Sequence, residues 1–177
     1  MSSRYIPPAP SRDNSQEPVP DRLPTPPVGK EAILLFYGDP LSYKTPDMYW
    51  RANGAFAFVN KEAYSHIPTL RTHSGFWCHR KLKAVFEEVF QEIADLGLAH
   101  LIESFDGVYN HRVIRGGERL SLHAFGAAID LNAGSIPLGS EKRMDPRVVD
   151  CFTKRGFTYG GDYKGRKDGM HYEYGCY

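Results

Sequence analysis

The chain has 177 residues, 41% hydrophobic and 24% charged, with 22 lysines and arginines against 21 aspartates and glutamates for a formal net charge of +1. These values describe one ordinary globular domain, long enough for a proper core, and the near-neutral balance offers no electrostatic footprint for nucleic acid. No stretch approaches the roughly 20 apolar residues needed to cross a bilayer, so membrane insertion is not expected. A monomer is the expected state.

Residues 1–29 hold 8 of the 13 prolines and almost no aliphatic pattern. Such a composition cannot bury enough apolar surface to offset the entropy of ordering, so a disordered or extended tail is expected there, ahead of a folded domain over residues 30–177. The same stretch lacks the apolar core of a secretory signal, which predicts a cytoplasmic protein whose export would need another protein. The domain opens with "AILLFYG", a short apolar run closed by Gly38, which reads as a strand or as an element docking onto the core.

"HRKLKAVFEEVFQEIADLG" places Leu82, Val85, Phe86, Val89, Phe90 and Ile93 at helical spacing, with Gly97 as the stop. A second, shorter helix is announced by Asp145 as N-cap and Pro146 at the first helical position; it turns Val148, Val149 and Phe152 inward and ends at Gly156. Around these helices the period changes to two. "AAIDLN" sets Ala128, Asp130 and Asn132 on one face, and "MHYEY" sets His171 and Glu173 on one face, so both read as strands. Helices flanking a small antiparallel sheet make an α+β domain.

The three cysteines, Cys78, Cys151 and Cys176, are odd in number and scattered, which indicates neither a disulfide framework nor a cysteine zinc site. Asp130 is more informative. It stands between Ile129 and Leu131 in a segment that reads as buried, and an ionised carboxylate in such a place needs an arginine, backbone N–H groups or a metal as partner.

Seven histidines are present. His66, His73, His79, His100 and His111 have no carboxylate at a telling spacing and read as surface or hydrogen-bonded core residues. His123 precedes Asp130 with Gly126 between them to permit a sharp turn, and His171 is preceded by Asp168. Two imidazoles and a carboxylate suit a catalytic zinc, because three protein ligands leave the fourth tetrahedral position for water. A carboxylate such as Asp168 beside that water can act as general base, or it can simply cap a turn. The same two histidines and carboxylate also satisfy the facial triad of mononuclear iron(II) oxygenases, which leaves Asp168 without a task.

"SLHAFGAAIDLN" followed by "KDGMHYEY" resembles the paired signatures of the zinc D-alanyl-D-alanine carboxypeptidase family, and especially its L-alanyl-D-glutamate peptidase branch, which includes phage endolysins. Ser121, His123, Gly126, Ala128 and Asp130 match the first signature, and Asp168, His171 and Glu173 match the second. The likeness extends over roughly residues 31–174 and implies a hedgehog-type α+β fold. It implies zinc held by His123, Asp130 and His171, with Asp168 as general base. It further implies an arginine, Arg112 in preference to Arg115, at the substrate carbonyl or carboxylate, where a planar and permanently charged guanidinium is suited. Ser121 is expected at the substrate or as a turn cap, and Glu173 as the group that orients His171. Two positions depart from the family pattern: Gly169 where proline is frequent and Tyr163 where tryptophan is common. The implied activity is cleavage of the peptide stem of bacterial peptidoglycan, at the L-alanyl-D-glutamate bond; the alternatives are D-alanyl-D-alanine carboxypeptidase activity and a zinc-stabilised cell-wall binding module that does not cut.

Overall fold

The computed structural model describes residues 23–114 and 116–177. It begins with an extended segment, residues 23–29, that lies along the C-terminus. Val28 forms a parallel bridge with Cys176, the Gly29 N–H donates to the Cys176 carbonyl at 2.8 Å, and the Cys176 N–H donates to the Pro27 carbonyl at 3.1 Å. Leu23 packs against the core. Of the proline-rich stretch expected as a tail, residues 1–22 lie outside the described residues.

"AILLFYG" forms a helix, α1 (Lys30–Tyr37), rather than a strand. Its unbroken apolar run hides the period: Ile33 and Tyr37, one turn apart, are buried, while Leu35 on the opposite side is 88% exposed. Helix α2 (Pro46–Asn53) follows, capped by the Thr45 hydroxyl, which accepts from the Met48 N–H at 3.2 Å. It leads into β1 (Gly54–Phe58), and after α3 (Pro68–His73) comes β2 (Gly75–His79), antiparallel to β1 in a two-stranded sheet.

Helix α4 (Lys83–Asp95) buries Val85, Phe86, Val89, Phe90 and Ile93 of the predicted stripe, while Leu82, its first member, is buried from the 3-10 turn that precedes the helix. Each such side chain contributes about 1.5–3 kcal/mol on burial, which makes this helix the spine of the core. Helix α5 (Pro146–Thr153) has its N-terminus closed by the Asp145 carboxylate, which accepts from the Arg147 N–H at 2.9 Å. Its inward face is Val148, Cys151 and Phe152; Val149 is only half-buried, because it lies a step round the helix from that stripe. Lys154 and Arg155 pair with Glu92, tying the end of α5 to α4.

The second sheet has four strands: β3 (Phe105–Gly107), β4 (Ala128–Leu131), β5 (Thr158–Tyr159) and β6 (His171–Glu173). They are antiparallel in the order β3-β4-β6-β5. The fold is α+β, with two small antiparallel sheets and helices packed around them. No helix among the described residues is long and apolar enough to cross a membrane.

Candidate metal centre

The ladder between β4 and β6 sets Asp130 directly opposite His171. In an antiparallel pair, opposed residues project to the same face, so register alone brings the carboxylate to the imidazole. His123 arrives from a 3-10 turn, Leu122–Phe125, just before β4. The Ser121 hydroxyl caps that turn, accepting from the His123 N–H at 3.3 Å. Gly126 ends the turn at φ 67, where a Cβ would stand 2.7 Å from the Trp50 ring and 2.9 Å from the His79 backbone nitrogen. Only glycine suits this position, which lets the chain reverse into β4.

His123 Nδ1 lies 2.7 Å from the Val108 carbonyl. A carbonyl only accepts, so in the neutral ring Nδ1 carries the hydrogen and Nε2 presents its lone pair inward. His171 Nε2 faces Glu173 Oε2 at 3.3 Å, leaving His171 Nδ1 inward. The three inward atoms, His123 Nε2, Asp130 Oδ1 and His171 Nδ1, are separated by 3.2, 3.2 and 2.8 Å. A tetrahedral ion with bonds of about 2.0–2.1 Å holds its ligands roughly 3.3 Å apart, so these atoms outline one face of such a tetrahedron. The donor set therefore fits a divalent metal such as zinc, and it is the one group of this kind found among the described residues.

Asp130 is less buried than its neighbours suggest. Its side chain keeps 21% exposure against 4% for His123 and 9% for His171, so the site opens on the carboxylate side. Burial would raise the Asp130 carboxyl, but the hydrogen bonds and charges of His123 and His171 outweigh it and hold the group well below the usual carboxylate range. Burial would lower His171, yet its hydrogen bonds to Asp130 and Glu173 carry it up to about 10. Both shifts express one fact: this cluster is built to hold positive charge, as a proton or as a metal ion.

Asp168 stands beside the cluster in a tight turn, its N–H donating to the Gly160 carbonyl at 3.0 Å and its carbonyl accepting from the His171 N–H at 3.1 Å. Its Oδ1 is buried and has no hydrogen-bond partner among the described residues. Burial raises its carboxyl above the ordinary value, against the opposing influence of His171 and with the Asp130 charge adding to the rise. An unpaired carboxylate oxygen of raised basicity is what proton transfer requires.

The remaining expected residues divide. Glu173 reaches His171, and Ser121 positions His123 through its backbone. Arg112 turns back on its chain neighbour, with Nη1 3.4 Å from the Val113 carbonyl, and the structure brings its guanidinium to none of the three inward atoms. Arg115 lies outside the described residues. His79 is buried, with Nε2 donating to the Tyr37 carbonyl at 3.2 Å and Nδ1 accepting from the Lys81 N–H at 3.3 Å, the pattern of a neutral core histidine. Sequence reasoning missed the Val108 carbonyl, the Tyr163 hydroxyl, which donates to Glu173 Oε1 at 2.7 Å, and Gly160. The paired glycines of "GGDY" were the available signal for the last.

Residues 115–174, about a third of the chain, match the model of a family described as D-alanyl-D-alanine carboxypeptidase. The match takes in His123, Asp130, Asp168, His171 and Glu173 and supports that peptidase family. Neither the comparison with curated proteins nor that with solved structures gives a significant match.

Proposed function

We propose that this protein is a zinc peptidase that cuts the peptide stem of bacterial peptidoglycan at the L-alanyl-D-glutamate bond. The observation that carries the reading is the convergence of His123 Nε2, Asp130 Oδ1 and His171 Nδ1 within 3.2 Å of one another, beside Asp168, whose Oδ1 has no hydrogen-bond partner among the described residues. The family match supports a peptidase acting on peptidoglycan. The likeness of the two signatures to the L-alanyl-D-glutamate branch supports the bond.

Zinc held by these three residues would supply Lewis acidity, polarising a carbonyl and making water acidic near neutral pH. The protein's own part is proton transfer and charge placement. Asp168 accepts a proton from the water that adds to the scissile carbonyl and delivers it to the departing amine nitrogen as the C–N bond breaks. Its raised basicity serves both halves of that task. The guanidinium of Arg112 meets the oxyanion or a stem carboxylate once the side chain leaves the Val113 carbonyl. Glu173 holds the outer nitrogen of His171 and so keeps the inner one turned inward, where it would bind the metal. Asp168 also favours a peptidase over an iron oxygenase or a binding module that does not cut, since neither has use for a base at this point.

The description of the matched family favours a second reading, release of the terminal D-alanine from the same stem. Mass spectrometry of purified peptidoglycan after incubation separates the cases. Fragments with a new glutamate amino terminus support the endopeptidase, free alanine alone supports the carboxypeptidase, and no new amino groups with zinc bound would leave only a binding module.

A further inference from the structure

We propose that Tyr163 is a positioning residue for the metal: its hydroxyl locks the Glu173 carboxylate, which in turn fixes the His171 ring with Nδ1 directed inward. The inference rests on the metal reading above and extends it one hydrogen bond outward. The two oxygens of Glu173 have separate tasks. Oε1 accepts from the Tyr163 hydroxyl at 2.7 Å, and Oε2 faces His171 Nε2 at 3.3 Å. With only the longer contact, the carboxylate could swing about its last bond and release the ring; the short, charge-assisted bond from Tyr163 removes that freedom.

Tyr163 is itself held. Its N–H donates to the Gly160 carbonyl at 3.2 Å, and its carbonyl accepts from Lys167 Nζ at 2.7 Å. The same Gly160 carbonyl accepts from the Asp168 N–H at 3.0 Å, so one short loop presents both the base and the tyrosine. Across the ladders, Glu173 lies between Ala128 on β4, whose methyl offers no polar group, and Thr158 on β5. A ligand ring that is already oriented loses less freedom on metal binding, and loss of such outer partners typically costs ~10–100-fold in metal affinity.

The test is zinc affinity of the full-length protein, measured by competition with a chromophoric chelator, in a double-mutant cycle. Tyr163→Phe keeps the ring and removes the hydroxyl; it should weaken zinc binding by about tenfold, while the metal-free protein stays folded and melts only slightly lower for the lost hydrogen bond. In a Glu173→Ala background, Tyr163→Phe should cost nothing further, because its effect passes through that carboxylate. Glu173→Gln, with one acceptor oxygen for two donors, should weaken zinc binding in the same direction and serves even if Tyr163→Phe fails to fold. Wild-type affinity in Tyr163→Phe or in Glu173→Gln overturns the proposal, as does an undiminished tyrosine effect without Glu173. If the wild-type protein takes up no zinc, the metal reading itself falls as well, which is a separate result.

Discussion

Gly160→Ala tests the geometry of the centre without replacing a ligand. A Cβ at this position would lie 2.5 Å from the Asp168 carbonyl oxygen, 3.0 Å from the Asp168 Cβ and 3.2 Å from the His171 Cβ. The first of these is backbone and cannot rotate away, so the Asp168 turn must shift by at least about 0.5 Å to reach even a tight contact. Overpacking of this kind costs about 1–3 kcal/mol in stability. Function should suffer more. The shift bears on the base and on the residue that starts β6, and misplacement on the order of 1 Å costs roughly 100-fold in turnover. Gly160→Ala should therefore fold, melt several degrees lower and lose about 10- to 100-fold in turnover on peptidoglycan. Wild-type turnover in the variant would refute the claim that this close approach sets the position of Asp168.

Asp168→Ala should keep its zinc and its fold while turnover falls by ~100- to 10,000-fold, since a base touches water rather than metal; elemental analysis beside a turnover assay checks both, with His171→Ala as the control that loses zinc and turnover together. In the metal-free protein, the stabilisation from His171, raised from 6.5 to about 10, is fully present below pH 6.5 and is lost as pH rises through about 10. The Asp130 contribution runs the other way, present above its usual titration range and lost as pH falls through its depressed value. Zinc must displace the His171 proton, so affinity should rise about tenfold per pH unit between pH 7 and 9; titrations showing no dependence would contradict the assigned hydrogen bonds. A chain beginning at Lys30 should melt below one beginning at Leu23, because it lacks the two backbone hydrogen bonds to Cys176, at about 0.5–1.5 kcal/mol each; equal melting temperatures would show that the extended segment over residues 23–29 adds nothing.

Elements whose pattern is local can be read from the amino-acid order alone. The stripe of α4 and the cap and proline of α5 are legible because a helix repeats every 3.6 residues and closes its ends with near neighbours. Alternation in "AAIDLN" and "MHYEY" marked β4 and β6 for the same reason, and the spacing within each signature singled out His123, Asp130, Asp168 and His171 as one chemistry. Tertiary structure decided what depends on distant partners. The Asp130 and His171 contact joins residues 41 positions apart, and that of His123 with His171 spans 48; strand register, which no local period encodes, makes the first, and the turn ahead of β4 brings His123 to it. Which nitrogen of each ring faces inward follows from the Val108 carbonyl and the Glu173 carboxylate, groups that a one-dimensional pattern does not place. The apolar run of α1 became a helix because core contacts select Ile33 and Tyr37 and leave Leu35 in solvent. The tasks of Tyr163 and Gly160 likewise arise only where the loop over residues 160–168 folds back on β6, because a hydrogen bond or a steric limit exists only once both partners are in place.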